Sequence, residues 1–182
     1  MRPDATHRNL GDAHSPQRMN KLIYFAYGSN LSRHRLAARV PSARKITMGR
    51  LPDHRLDFHK IGRDGSGKCN ITACPGNAVF GVIYEMHPGE KPLLDACEDL
   101  GRGYRIEAFE IATPDGGTVA AFSYVALLVD RSLLPYGWYH HHVFSGAEEN
   151  GLPDPYLEAL RAVDDLSFSS SEARIRKAST SD

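Results

Sequence analysis

The chain lacks any apolar run near the ~20 residues that a membrane-spanning helix needs. It also lacks a charge of one sign. Its 22 basic and 22 acidic residues leave a formal net charge of zero. Nothing global therefore draws it to nucleic acid or to an anionic membrane. Cysteine is scarce, with Cys69, Cys74 and Cys97 alone. An odd count at these spacings fits neither a disulfide framework nor a zinc pattern, so reduced thiols in a cytoplasm are expected. Internal repeats and an interdomain linker are both absent.

What remains is the composition of an ordinary globular domain, 182 residues with 41% hydrophobic and 24% charged. Charge is uneven along it: residues 1–68 hold 14 Lys and Arg against 5 Asp and Glu, and residues 69–182 hold 8 against 17. In one domain the two halves are expected to interleave. Residues 1–20 lack the apolar core of a secretory signal and read as a disordered polar leader, with Met19 an alternative start. A single domain is expected over 21–167 and a flexible tail over 168–182.

Periodicity and turn signals divide the domain into short elements. Strands are expected at Leu22–Tyr27, Lys45–Leu51, Arg55–Lys60, Cys69–Cys74, Ala78–Met86, Tyr104–Thr113 and Thr118–Leu128. Pro75-Gly76-Asn77 and Pro114-Asp115-Gly116-Gly117 read as hairpin turns, and Gly62–Lys68 as a flexible loop. Helices are expected at Leu31–Arg39, after Pro88 and Pro92 as far as Gly101, and at Tyr139–Glu149. A last one is capped by Asp154, with Pro155 at its first position. Six or seven strands with interspersed helices make an α+β domain.

Tyr24-Phe25-Ala26-Tyr27-Gly28-Ser29-Asn30-Leu31 is the most informative stretch. A strand stops at a Gly-Ser-Asn turn and a helix follows. That geometry offers successive backbone N–H groups to a small anion. Gly28 permits close approach of a ligand, and Ser29 and Asn30 suit the turn. These features name no reaction.

The octet resembles the signature of the γ-glutamylcyclotransferases. Three further pieces resemble the same family in order and spacing: Leu56-Asp57-Phe58, Leu94–Tyr104 (LDACEDLGRGY) and Gly146–Val163 (GAEENGLPDPYLEALRAV). The resemblance covers about Leu22 to Ser167. It implies a mixed, largely antiparallel β-barrel with flanking helices. It also implies cyclisation of a γ-glutamyl amide to 5-oxoproline, with Glu98 as the catalytic acid/base. Tyr24, Phe25, Ala26, Tyr27, Gly28, Ser29 and Asn30 then fall at the substrate pocket, with Tyr104 and Tyr139. The partner is a small γ-glutamyl molecule: an amino acid conjugate, glutathione or an amine conjugate. No nucleic acid, membrane or cofactor is implied, and a homodimer is compatible.

The residues bear on that reading. Glu98 sits near a helix C-terminus, whose dipole opposes a carboxylate, and burial would raise its pKa towards that of a proton shuttle. An arbitrary Glu in such a place is more often solvated. Tyr24 and Tyr27 are an odd number apart and should face opposite sides of a strand. Consecutive His140, His141 and His142 fan out by about 100° each on a helix and cannot converge on one metal ion. Cys97 reads as a buried structural thiol. Arg102 and Arg105 are expected near the pocket mouth, as contacts for an anionic leaving group or as solvated charges. Two rival functions stand beside the first. One is an amidohydrolase or esterase using Ser29, with Asp57 and a His, although the G-x-S-x-G elbow is absent. The other is a non-catalytic binding module, against which the presence of Glu98 argues.

Overall fold

The computed structural model describes residues 21–166. The expected leader, the tail and Ser167 lie outside the described residues. The strands are β1 (Leu22–Ala26), β2 (Arg44–Ile61), β3 (Gly67–Met86), β4 (Tyr104–Ala112) and β5 (Thr118–Ala126). They close into a barrel in the order β1-β3-β2-β4-β5. All pairings are antiparallel except β1 with β5, which meet in parallel at Tyr24 and Phe122. Closure hides the strand edges. Four helices flank the barrel: α1 (Arg33–Arg39), α2 (Lys91–Cys97), α3 (Gly137–Glu149) and α4 (Asp154–Arg161). The α+β barrel implied by the resemblance is the fold observed.

Seven expected strands become five because two pairs fuse. Lys45–Leu51 and Arg55–Lys60 are both parts of β2, and Cys69–Cys74 and Ala78–Met86 are both parts of β3. Pro75-Gly76-Asn77 does not reverse the chain. The register jumps from Pro52↔Ala78 to His54↔Ala73, so these turn residues form a wide bulge opposite Asp53. Asp53 takes a positive φ of 56° there, and its carboxylate accepts the Gly76 N–H at 2.9 Å. The reversal occurs at Gly62–Ser66, where the Gly62 N–H meets the Ser66 carbonyl at 2.8 Å. The result is a long β2–β3 ribbon whose turn residues Gly62, Arg63 and Asp64 line a surface cavity together with Glu98 and Tyr104.

Runs of consecutive buried residues in β1 and β3 show that both faces of these strands are covered, one by the barrel interior and the other by the flanking elements. Phe25, Val79, Val82 and Ile83 are fully buried, as are Leu36 of α1, Leu94 of α2, Ile111 of β4 and Val143 of α3. A 3-10 turn, Ser29–Leu31, joins β1 to α1. Helix α3 rests on that turn through Gly146, where a Cβ would lie 2.4 Å from the Ser32 nitrogen. Helix α4 starts at Asp154 with Pro153 in the capping position and no side-chain cap, so Asp154 is not the cap expected. No helix among the described residues is long and apolar enough to cross a membrane.

Candidate active site

Three elements converge at one end of the barrel: the turn after β1, the C-terminus of α2 and the face of α3 that carries Tyr139. They enclose a pocket of roughly 280 Å³, its open mouth included. Tyr24, Tyr27, Gly28, Ser29, Asn30, Glu98, Tyr104 and Tyr139 all line it. Of the expected residues, Phe25 and Ala26 do not. Their side chains lie wholly in the core, with the Phe25 ring packed where Gly81 leaves room. Tyr24 and Tyr27 face the same pocket because β1 ends at Ala26 and the strand alternation stops with it.

Glu98 occupies the C-cap position of α2, as the sequence suggests. Its side chain keeps 15% exposure. Oε1 accepts a hydrogen bond from Asn30 Nδ2 at 3.0 Å and one from Arg39 Nη1 at 3.0 Å. The same Arg39 Nη1 donates to Asn30 Oδ1 at 2.8 Å, and Asn30 Nδ2 also donates to the Tyr24 hydroxyl at 3.0 Å. Both amide hydrogens and the amide oxygen of Asn30 are thus used, which fixes its side chain. Arg39 supplies a cation against the unfavourable end of the α2 dipole. Oε2 has no protein hydrogen-bond partner among the described residues and remains open to a ligand.

The turn supplies donors. The N–H groups of Gly28, Ser29 and Asn30 meet no acceptor among the described residues, whereas those of Leu31 and Ser32 are satisfied within the turn. Gly28 packs closely: a Cβ there would lie 3.0 Å from Cys69 Cβ. Ser29 Oγ receives the Arg35 Nε–H at 3.2 Å. A guanidinium accepts no proton, so the one side chain hydrogen-bonded to Ser29 Oγ among the described residues is not a base. Asp57, the acid considered for a Ser29 triad, pairs with Arg55 and Thr72 and does not line the pocket.

Two lining residues, Cys69 and Tyr124, carry no signal in the sequence. Backbone groups of Cys69 are held by two tyrosines: its N–H donates to the Tyr139 hydroxyl at 3.0 Å, and its carbonyl accepts from Tyr104 at 2.8 Å. Tyr27 donates to the Tyr124 carbonyl, and Tyr124 donates to Asp95 at 2.6 Å. Burial raises the phenols of Tyr24, Tyr27, Tyr104, Tyr124 and Tyr139 above the ordinary tyrosine value, so all five are neutral hydroxyls. The Cys69 thiol is pushed up to about 12 by burial, which removes it as a thiolate nucleophile at neutral pH. Glu98 is the lone carboxylate among the residues lining this pocket.

Beyond Glu98, Ser29, Tyr104 and Tyr139 the pocket opens into an outer bowl of about 680 Å³, open solvent included. Its charged lining comprises Arg35, Arg39, Lys60, Arg63 and Lys68 against Asp64, Glu98 and Asp99. Arg102 and Arg105, expected near the pocket mouth, do not line the bowl, although Arg102 stands at its edge through Asp99. Arg102 is 82% exposed and pairs with Asp99, and Arg105 pairs with Glu107. Cys97 is exposed at the bowl rather than buried, because the helix that carries it ends there. His140 is tied to Asp165 at 2.8 Å and to the Leu160 carbonyl at 2.7 Å. Among the described residues no group of three His, Cys, Asp or Glu side chains is placed to hold a metal ion.

Comparison with known proteins agrees with the geometry. Residues 78–160 match the model of the AIG2-like family. The γ-glutamylcyclotransferase of Mus musculus is 33% identical over 159 residues, 84% of each chain. That of Homo sapiens is 35% identical over 148 residues, 78% of each chain. A solved structure described as a γ-glutamyl cyclotransferase superposes with a TM-score of 0.76 at 32% identity, over 80% of this chain and 89% of its own. A third of the residues shared across most of both chains, together with the same barrel, show that the chain belongs to the γ-glutamylcyclotransferase family.

Proposed function

We propose that the chain converts a γ-glutamyl amino acid or γ-glutamylamine to 5-oxoproline and the free amine, in the cytoplasm, with Glu98 as general acid/base. The observation that carries this reading is the anchored carboxylate. Oε1 is fixed by Asn30 and Arg39 while Oε2 is left without a partner among the described residues, in a side chain that lines a pocket whose turn has three amides without acceptors. The substrate brings its own nucleophile. Its α-amine attacks the γ-carbonyl and closes a five-membered lactam. Holding the amine near the carbonyl supplies several kcal/mol, since the step is intramolecular. Glu98 Oε2 takes the proton from the α-ammonium and returns one to the departing amine. The amides of Gly28, Ser29 and Asn30 hold the substrate carboxylate or the developing oxyanion. Neutral tyrosine hydroxyls complete the wall without competing for the proton.

N-acetylation of a γ-glutamyl dipeptide tests this chemistry. It removes the nucleophile and leaves the scissile amide intact. The free dipeptide should give 5-oxoproline by mass spectrometry, and the blocked one should not be cleaved. Glu98→Gln should fold and lose ~10²–10⁴ in rate. Cleavage of the blocked dipeptide, or glutamate as first product, would instead indicate a hydrolase.

A further inference from the structure

We propose that Lys60 selects the leaving group: its ammonium takes a carboxylate carried by the departing amine, so γ-glutamyl amino acids are turned over in preference to their neutral amides. This rests on the reading of the inner pocket given above. Lys60 is only 6% exposed, yet it lines the outer bowl. Among the described residues it has no carboxylate within 4.0 Å and no hydrogen-bond acceptor. Lys60 Nζ is not among the buried atoms left without a partner, so its stem is buried while the ammonium reaches the solvent of the bowl, where a ligand carboxylate can replace water. Its Nζ stands 4.9 Å from the centroid of the Tyr104 ring, a wall shared by bowl and inner pocket. A Cβ at Gly103 would lie 3.0 Å from that nitrogen, so the glycine leaves the space the ammonium uses.

The other cations of the bowl are occupied or stand elsewhere. Arg39 holds Glu98, Arg63 holds Asp99 at 2.6 Å and Lys68 holds Asp64 at 2.8 Å. Arg35 has no carboxylate either, but its Nε is tied to Ser29, on the turn that receives the glutamyl part. Burial is the main influence on Lys60 and lowers its proton affinity, Asp99 and Glu98 oppose this from beyond contact distance, and Lys68 and Arg63 add to it. With the glutamyl part in the inner pocket, the group departing from the γ-carbonyl projects into the bowl. An amino acid leaving group carries its carboxylate one carbon from the departing nitrogen, and a charge-assisted hydrogen bond to Lys60 fits it there.

The test compares γ-glutamyl-alanine with γ-glutamyl-alaninamide, which differ only in that charge, on wild type, Lys60→Gln and Lys60→Arg. Wild type should favour the acid by about 10- to 100-fold in kcat/KM, chiefly through KM. Lys60→Gln should lose that preference with the amide rate within about twofold of wild type, and Lys60→Arg should restore most of it. A wild type indifferent to the charge overturns the proposal, as does a Lys60→Gln variant impaired equally on both substrates. Should Lys60→Gln fail to fold by thermal melt, the wild-type ratio and Lys60→Arg decide. Absence of 5-oxoproline from both substrates in wild type overturns the inner-pocket reading and this proposal with it. Turnover without discrimination sinks this proposal alone.

Discussion

At the residue scale, Arg39 is the side chain that the sequence concealed. It looks like any arginine on the solvent face of a short helix, yet it bridges Asn30 Oδ1 and Glu98 Oε1 with one nitrogen. Its partner in the ion pair is 59 residues away, and no local pattern announces such a meeting. Arg39→Met should therefore leave Glu98 unanchored. We expect kcat for 5-oxoproline release to fall ~10²-fold, the scale of a misplaced catalytic group, with KM changed far less. Arg39→Lys should recover only part of the loss, because an ammonium lacks the planar fork. Equal activity in Arg39→Met would show that Asn30 alone holds the carboxylate. By contrast the turn residues Gly28, Ser29 and Asn30 are legible as a local strand-turn-helix, whereas Glu98 is singled out by the family resemblance, since a helix end alone suggests a solvated carboxylate. Cys69 and Tyr124 enter through the ribbon and β5, and only tertiary pairing places them.

At the scale of elements, the long β2–β3 ribbon misled the sequence reading because Pro75-Gly76-Asn77 has the chemistry of a turn. Tertiary pairing used that chemistry for a bulge instead. Helix α3 was legible in place but not in purpose. One of its faces carries Tyr139, Val143, Gly146 and Asn150, and that face braces the turn: the Asn150 amide donates to the Leu31 carbonyl at 2.9 Å. Gly146→Ala would press a Cβ to 2.6 Å from the Leu31 carbonyl carbon. Overpacking of this kind costs about 1–3 kcal/mol. The variant should melt several degrees lower and lose activity together, since Gly28–Asn30 must shift. Unchanged melting would mean that α3 can slide.

The ribbon also carries a pH-sensitive contact. His59 is buried, and its Nε2 lies 3.0 Å from Asn70 Nδ2, which donates to it. Asn70 Oδ1 in turn accepts the Ala126 N–H at 2.8 Å, tying the ribbon to β5. Burial lowers the His59 pKa below the ordinary value, with Arg131 and Arg55 adding to it and Asp57 opposing. The unfolded chain therefore takes the proton first as pH falls. Stability is full above the ordinary histidine value of about 6.5 and declines below it. Melting temperature should drop between pH 7.5 and 5.5, and His59→Gln should flatten that slope. His142, lowered for the same reason, leaves a residue of it. An identical slope in His59→Gln would remove this histidine from the account.

At the scale of the whole molecule, the uneven charge read from the sequence acquires a place. Ion pairs cross between the basic and acidic halves at Lys21–Glu85, Arg39–Glu98 and Arg63–Asp99, so the halves do interleave. The interleaving is incomplete at the bowl. All five of its cations come from residues 1–68, and they outnumber the three carboxylates. A neutral protein thus presents a locally positive entrance, and a concave entrance focuses such a field. γ-Glutamyl-alanine carries a net charge of about −1 at neutral pH from two carboxylates and one ammonium, whereas its amide carries about zero. Salt with a Debye length of ~10 Å at 0.1 M should screen the attraction for the first and not the second. Raising NaCl should therefore lower kcat/KM for the dipeptide acid, through KM, while the amide stays flat. If both substrates respond alike, the salt acts on the fold or the chemistry, and the positive entrance has no part in capture.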